Sequence, residues 1–340
     1  MLNISIIGSG NFGTCIGRLI AKNIKDNNKF NDEIKMWTYE EMVEGKKLTE
    51  IINEKNENVK YLPGVKLPNN LKAIPEIKDV VENADILIFI LPHQFVERSC
   101  QEIKKYIKNK NVIGITLTKG ILYKNGLIFI SDYLKDNLGI DISVLMGANI
   151  AKEIANDAIS EATIGYNIKK NGYLLKEIFN SNYFKISITD DLKTVELSGT
   201  IKNITAIGYG IALGLNAPTN TTVAIFRRGL IEQHKIITEI HPTTKIETLF
   251  ESAGIADLLV TCLSGRNSAS GKKIAEGMGL EEIEKSMGGQ QLQGPGTAEE
   301  IYHFIKSKGI EREYPFFVSI YKICFKNASP NCIFDCITKY

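Results

Sequence analysis

Residues Ile4–Ile7 read as a short β-branched strand, and the chain passes from it directly into Gly8-Ser9-Gly10-Asn11-Phe12-Gly13. Each glycine at this spacing answers a separate steric demand. Gly8 permits a tight turn out of the strand, and Gly10 leaves bare backbone against which a pyrophosphate can lie. Gly13 lets the next helix close on the sheet, and the helical run Gly13–Asn23 presents its first amides to an anion. Such a turn is a weak sign on its own. With a strand before it and a helix after it, it marks a dinucleotide-binding unit. A plain structural turn is the simpler alternative.

Downstream, the N-terminal half alternates strand and helix, the pattern of a parallel sheet with right-handed crossovers. Glu33–Trp37 reads as the second strand and Glu40–Asn53 as a helix. Asp85–Leu91 is a continuous apolar run, as a strand buried on both faces requires. Asn111–Leu117, Ile142–Met146, Ala162–Tyr166 and Tyr183–Ile188 continue the series. Lys25–Asp32 lengthens the first crossover, and Asn58–Asn70 reads as a loop. After Asp190-Asp191 the strand pattern stops. Thr194–Gly214, Thr221–Ile240, Glu247–Thr261, Ser268–Glu276, Gly296–Lys308 and Pro315–Phe325 all read as helices. The expectation is an α/β chain: a doubly wound, Rossmann-like, mostly parallel sheet over 1–190, followed by an all-helical domain over 191–340.

At 340 residues, 44% hydrophobic and 24% charged, the chain has room for two domains with real cores. A formal net charge of +2 argues for neither a nucleic-acid partner nor an anionic membrane surface. The six cysteines show no C-x-x-C and no metal-type spacing with the four histidines, so reduced thiols and no bound metal are expected. Leu197–Leu215 is apolar enough to suggest a membrane span, but Lys202, Asn203 and four glycines inside it favour a buried core helix. The first strand starts directly after Met1, so no leader is expected and the chain reads as cytoplasmic.

In an open α/β sheet, ligands lie beyond the carboxyl ends of the strands. There the chain places Pro92-His93-Gln94-Phe95, Thr118-Lys119-Gly120 and Gly147-Ala148-Asn149-Ile150-Ala151. Lys119 stands where it can meet an anion, or is a solvated loop lysine; Asn149 reads by default as a helix N-cap. In the helical half the unusual pair is Lys202-Asn203, set among Leu197, Ile201 and Ile204. Desolvation pulls a buried lysine toward pKa values useful for proton transfer, although the spacing also lets Lys202 snorkel outward. Asp257 and Thr261 stand i, i+4 on an apolar helix and share a face. Gly265-Arg266-Asn267 offers a bidentate planar donor beside an amide, suited to a phosphate, or else a surface turn. The glycine-dense Gly288–Gly296 reads as a lid over the cofactor or as a linker. Thr38-Tyr39-Glu40-Glu41 holds no arginine for a 2′-phosphate and two carboxylates to repel one, so NAD is expected over NADP.

Taken together, these residues resemble the NAD-dependent glycerol-3-phosphate dehydrogenases of the eukaryotic cytosolic type. The resemblance runs from Gly8 to about Phe325, through Lys46–Pro68, Ala84–Phe95, Ser143–Ala151, Thr194–Asn203, Glu251–Asn267 and Gln290–Pro295. It implies cofactor contacts at Gly8, Ser9, Gly10, Asn11, Phe12, Gly13, Tyr39, Phe95, Lys119, Ala151, Arg266, Gln291 and Gln293. It implies substrate contacts at Lys119, Asn149, Lys202, Asn203, Asp257, Thr261, Arg266 and Asn267, and a homodimer. Two positions depart from the pattern. Gln291 stands where these enzymes usually carry lysine, and Tyr39 replaces the usual phenylalanine at the adenine.

The implied reaction is the reversible reduction of dihydroxyacetone phosphate by NADH to glycerol 3-phosphate. Lys202 would be its general acid, Asp257 would orient it, and Lys119, Arg266 and Asn267 would hold the phosphate, with Lys119 counted among the catalytic residues. The nearest rival is a β-hydroxyacid or hydroxyacyl dehydrogenase, which would want a carboxylate or thioester site instead of the Gly-Arg-Asn turn. A non-catalytic NAD-sensing module would leave Lys202, Asp257 and Arg266 without purpose.

Overall fold

Eight strands form one sheet: β1 (Ile4–Ile7), β2 (Ile34–Trp37), β3 (Leu71–Ile74), β4 (Ile86–Phe89), β5 (Ile113–Thr116), β6 (Asp141–Met146), β7 (Ser160–Gly165) and β8 (Phe184–Thr189). The computed structural model describes residues 1–109, 111–123, 126–287 and 292–339. The strands lie in the order β3-β2-β1-β4-β5-β6-β7-β8. The first six are mutually parallel, in the doubly wound 3-2-1-4-5-6 arrangement. The direction reverses at β7, which pairs antiparallel with β6; β8 runs parallel to β7, so the last two strands oppose the first six.

Register brings the carboxyl ends of the central strands level. Ile7 aligns with Trp37 on one side and Phe89 on the other, and Phe89 aligns in turn with Thr116. The loops after β1, β2, β4 and β5 therefore leave from a single edge. β1 and β4 are buried along their whole length, which explains why they carry no polar alternation. Helix α1 (Asn11–Asn23) buries Ile16, Leu19 and Ile20 in the core that also takes Ile4, Ile6, Ile34 and Met36.

The stretch expected to be a helix over Glu40–Asn53 is shorter than that. Met42-Val43 and Lys46-Lys47 form a two-stranded hairpin, and helix α2 begins only at Leu48 and ends at Lys55. Glu44 and Gly45 have φ of 49° and 80°, and two successive positive φ values close a two-residue hairpin loop while ending any helix. Strand β3 comes directly after the loop Asn58–Asn70 and pairs with β2, an element that its short Leu-Lys-Ala-Ile did not announce. A second small hairpin, Ile121–Tyr123 with Leu127–Phe129, was likewise not foreseen.

The chain divides into two compact units, Met1–Lys119 with Phe129–Leu192, and Gly120–Ile128 with Lys193–Tyr340. In the second unit, Ile121–Tyr123 packs on a helix near the chain's end, and the Gly120 amide donates to Thr200 Oγ1 at 3.2 Å. The helices that matter here are α3 (Ala151–Ala155) in the first unit and, in the second, α4 (Leu192–Gly214), α5 (Thr219–Ile240), α6 (Asp257–Ser264), α7 (Arg266–Ala275), α8 (Leu280–Ser286), α9 (Gln293–Lys308) and α10 (Pro315–Phe325). Helix α4 is buried on every side: Leu197, Ile201, Ile204, Ile207 and Ile211 are all solvent-free, and so are Ser198, Thr200 and Thr205. That all-round burial is why it resembles a membrane segment in sequence; no described helix is long and apolar enough to cross a membrane. Glu232 of α5, 1% exposed, accepts the Phe316 and Phe317 amides at 2.9 Å each and so caps α10.

Candidate active site

The glycine turn has the geometry that its spacing demanded. Gly8 takes φ of +119°, and a Cβ there would lie 2.3 Å from the Ile90 carbonyl oxygen. A Cβ on Gly13 would lie 2.2 Å from the Gly8 carbonyl oxygen, so the first turn of α1 rests directly on the strand exit. Gly10 differs, because a Cβ there would meet nothing within 4 Å. No protein atom requires glycine at that position, and the open space is the room that a pyrophosphate over bare backbone needs. The residues present therefore fit a dinucleotide at this edge.

Around the turn, Asn11 Nδ2 donates to the Tyr61 carbonyl at 2.7 Å. Asn58, fully buried, donates to the Ser9 carbonyl at 3.0 Å and to Thr14 Oγ1 at 2.8 Å. Sequence reading passed over Asn58 as part of a loop. Its signal was an asparagine just ahead of Pro63-Gly64 in a stretch otherwise able to stay solvated. After β2, Tyr39 stands 70% exposed, and after β4 Phe95 is 50% exposed, two rings held out at the carboxyl edge.

The two acids beyond β2 are committed to neighbours. Glu40 receives the Thr49 hydroxyl at 2.6 Å and the Thr49 amide at 3.3 Å, which satisfies the start of α2. Glu41 receives the Tyr61 hydroxyl at 2.6 Å and pairs with Lys60. Burial works to raise the Glu41 carboxyl, but the Lys60 and Tyr61 hydrogen bonds overcome it and hold its pKa below the ordinary value. Two carboxylates thus line this edge, with the Lys60 charge offsetting one of them.

Lys119 is half-buried beyond β5. Asn149 is not the cap of α3. That position belongs to Ile150, whose φ of −87° and ψ of 112° start the helix, while Asn149 Nδ2 turns to the Glu161 carbonyl of β7 at 2.9 Å. The antiparallel strand beside β6 supplies that acceptor. Ala151 opens α3, and its carbonyl accepts the Cys15 thiol at 3.2 Å.

In the second unit the structure gathers Lys202, Asp257 and Thr261. Lys202 does not snorkel: it is 3% exposed, because its helix has no solvent face at that level. Its ammonium pairs with Asp257 Oδ1 and donates to Thr261 Oγ1 at 2.7 Å. The Thr261 hydroxyl in turn donates to the Asp257 carbonyl at 2.7 Å, which fixes its lone pairs toward the lysine. Asp257 itself is 1% exposed. Burial pushes the neighbouring Cys262 thiol up to about 12 against the pull of the Lys202 charge, so the thiol stays protonated and is no rival nucleophile.

The helix expected over Glu247–Thr261 is broken just before Asp257. A short π-helical turn spans Ser252–Ala256, and Gly254 sits in it at φ −91° and ψ −108°, outside helical space. A Cβ on Gly254 would fall 2.1 Å from the Leu249 carbonyl oxygen. The kink re-aims α6 so that its first residue, Asp257, meets α4.

Asn267 Nδ2 donates to Asn203 Oδ1 at 2.9 Å, and the Gly294 amide donates to Asn267 Oδ1 at 3.1 Å. Arg266 and Asn267 do not form a turn; they are the first two residues of α7, after an extended Gly265. The exposed Arg266 therefore stands at a helix N-terminus, where the helix dipole favours an anion. Gln293 opens α9 next to that asparagine link. Gln291, with residues 288–290 of the glycine-dense stretch, lies outside the described residues. Helix α8, missed in sequence, anchors the chain as it enters α9: Glu284 accepts the Leu292 amide at 3.0 Å.

Models of two family domains match the chain. NAD-dependent glycerol-3-phosphate dehydrogenase N-terminus covers residues 3–172, and NAD-dependent glycerol-3-phosphate dehydrogenase C-terminus covers 191–335. A glycerol-3-phosphate dehydrogenase 1-like protein of Danio rerio is 44% identical, spanning 100% of this chain and 98% of its own length. The cytoplasmic NAD(+) glycerol-3-phosphate dehydrogenase of Drosophila melanogaster is 43% identical over 100% of this chain and 94% of its own. A solved glycerol-3-phosphate dehydrogenase from Plasmodium falciparum superposes with a TM-score of 0.95 at 38% identity, over 98% of this chain and 94% of that one. The chain belongs to the NAD-dependent glycerol-3-phosphate dehydrogenases, oxidoreductases whose cofactor is NAD.

Proposed function

We propose that Lys202 is the proton donor in the reversible reduction of dihydroxyacetone phosphate to glycerol 3-phosphate, with Asp257 and Thr261 holding it in place. One observation carries this reading: an ammonium buried in an apolar helix, paired with a carboxylate and a hydroxyl that leave its position no freedom. Such an ion pair is a poor way to stabilise a core, because desolvating both charges offsets most of their attraction. A chemical role accounts for it.

When bound, the nicotinamide supplies the hydride that reaches C2. The C2 oxygen then gains negative charge, which the Lys202 ammonium stabilises before yielding its proton to that oxygen. The Asp257 carboxylate orients Nζ throughout. Arg266 and Asn267 hold the substrate phosphate, with Asn203 beside them, and the family pattern also assigns substrate contacts to Lys119 and Asn149. Binding so far from C2 is converted into position at C2.

For the cofactor, the Gly8–Gly13 turn takes the pyrophosphate, Tyr39 and Phe95 stack on its flat rings, and Ala151, Arg266, Gln291 and Gln293 contact it. The NAD-binding domain is residues 1–190 apart from 120–128, which belong to the same compact unit as the substrate domain of 191–340. A homodimer and a cytoplasmic location complete the reading; a relative's printed name supports the latter.

Steady-state NADH oxidation across a panel of phosphorylated ketones and carboxylated 3-oxo acids tests the assignment. Dihydroxyacetone phosphate is expected to give by far the highest kcat/KM. A 3-oxo acid that outperforms it would move the chain to the hydroxyacid dehydrogenases.

A further inference from the structure

The loop between α2 and β3 holds a buried brace for the nucleotide turn. Asn58 is fully buried, and its amide is used completely: Nδ2 donates to Ser9 O and Thr14 Oγ1, while Oδ1 accepts the Tyr61 amide at 3.1 Å. Thr14 adds a donation from its hydroxyl to the same Ser9 carbonyl at 2.9 Å. The Tyr61 carbonyl takes Asn11 Nδ2, and the Tyr61 hydroxyl reaches Glu41 beyond β2. One short turn, 58–61, thus grips both the start of α1 and the segment just after β2.

The Ser9 carbonyl is the key contact. In a trans peptide the C=O and the next N–H point to opposite sides. With Ser9 O held by Asn58 and Thr14, the Gly10 N–H points to the opposite side of the peptide plane, and a Cβ on Gly10 itself would meet nothing within 4 Å. We propose that Asn58 is a positioning residue for the dinucleotide: it locks the Ser9–Gly10 peptide so that the Gly10 amide faces the pyrophosphate. The proposal rests on the assignment of the Gly8–Gly13 turn to the cofactor phosphates. Asn58 touches no ligand itself, and it acts through the orientation of a peptide plane that glycine leaves otherwise free to rotate.

The experiment compares Asn58→Ala with Asn70→Ala in the full chain. Asn70 makes a similar buried brace at the other end of α1, with Nδ2 on Ala21 O at 3.1 Å and Asp32 O at 2.9 Å, remote from the turn. Calorimetric Kd values are measured for NADH, ADP-ribose and adenosine, alongside thermal melting and kcat at saturating NADH. Asn58→Ala is expected to weaken NADH and ADP-ribose about tenfold or more, as loss of a supporting hydrogen bond to a binding group does. Adenosine, which has no pyrophosphate, keeps its affinity, and kcat stays within about twofold. Asn70→Ala is expected to lower the melting temperature without moving any of the three affinities.

Normal NADH affinity in Asn58→Ala would overturn the proposal, as would equal losses for adenosine and ADP-ribose or the same pattern in Asn70→Ala. Should Asn58→Ala not fold, Asn58→Ser is read by the same criteria. Gly10→Val separates the two layers of the argument. If it binds NADH normally, the turn is not the phosphate site; if it abolishes binding while Asn58→Ala leaves affinity intact, only the positioning role fails.

Discussion

At the scale of single residues, the decisive contrast lies between a charge buried for packing and a charge buried for use. Lys202, enclosed by apolar neighbours and tied to Asp257 and Thr261, is of the second kind in the mechanism proposed above. Lys202→Met keeps the volume and removes the proton. It is expected to bind NADH normally and to lose about a hundred- to ten-thousandfold in kcat, the range general acid catalysis supplies. The variant also leaves Asp257 buried without its partner, which costs about 3–5 kcal/mol. Melting and NADH titration must therefore accompany the kinetics. Near-normal turnover in a folded Lys202→Met would remove the lysine from the mechanism. Arg266→Ala makes a different demand. Loss of a bidentate phosphate contact is expected to cost about 2–3 kcal/mol, about a hundredfold in kcat/KM, mainly through KM for dihydroxyacetone phosphate. A test with dihydroxyacetone, which lacks the phosphate, should show no such loss. If both substrates suffer equally, Arg266 is not the phosphate ligand.

At the scale of elements, Gly254 shows how a backbone break places a side chain. An unbroken helix through Glu247–Thr261 would carry Asp257 on a different bearing, and the π-turn at Ser252–Ala256 corrects it. Gly254→Ala puts a methyl group 2.1 Å from the Leu249 carbonyl oxygen, so α6 must shift. The expected result is a fall in kcat with little change in NADH affinity as the Lys202–Asp257 pair lengthens; an unchanged kcat would show that the kink only relieves packing. The same stretch marks what sequence could and could not convey. Long elements with one clear period were readable: β1 and its glycine turn, the apolar β4, and α4 with its misplaced-looking lysine. Breaks set by backbone sterics were not, since nothing in Ser-Ala-Gly-Ile-Ala states that Leu249 crowds the glycine. Nor was the hairpin at Glu44-Gly45, where a helix-compatible composition gives way to two left-handed residues. Short β3 depends on pairing with β2 more than on its own four residues. At the site, Lys202, Asp257 and Thr261 were legible because polar residues stood out against apolar helices. Asn58 was hidden because a buried asparagine in a loop looks like any solvated one.

At the scale of the whole molecule, two carboxyls oppose each other in the dependence of stability on pH. Asp157, in the left-handed region at φ 62°, receives Arg18 at 2.7 Å and Lys22 at 2.8 Å from α1. The Arg18 hydrogen bond, reinforced by Lys22, lowers its pKa from 3.8 to about 2. Its folded pKa is depressed, so its contribution is present above pH 3.8 and is lost as pH falls toward about 2. Asp157 is 41% exposed, so solvent screening keeps that contribution to about 1 kcal/mol or less. Glu300 on α9 has the opposite sign. Burial, with the charge of Glu299 beside it, raises its pKa from 4.5 to about 7. Its protonated form is favoured in the fold, so stability is full below pH 4.5 and declines as pH rises through about 7. The two groups together place the stability maximum on the acid side of neutrality as far as they govern it. Glu300→Gln removes the upper limb while keeping the side chain's shape. The variant is expected to melt higher than the parent at pH 8, and the gain should shrink to nothing by pH 4, where the parent's own carboxyl is already neutral. A gain of equal size at both pH values would show that the glutamine acts by packing or by new hydrogen bonds, and that the Glu300 charge does not weaken the fold.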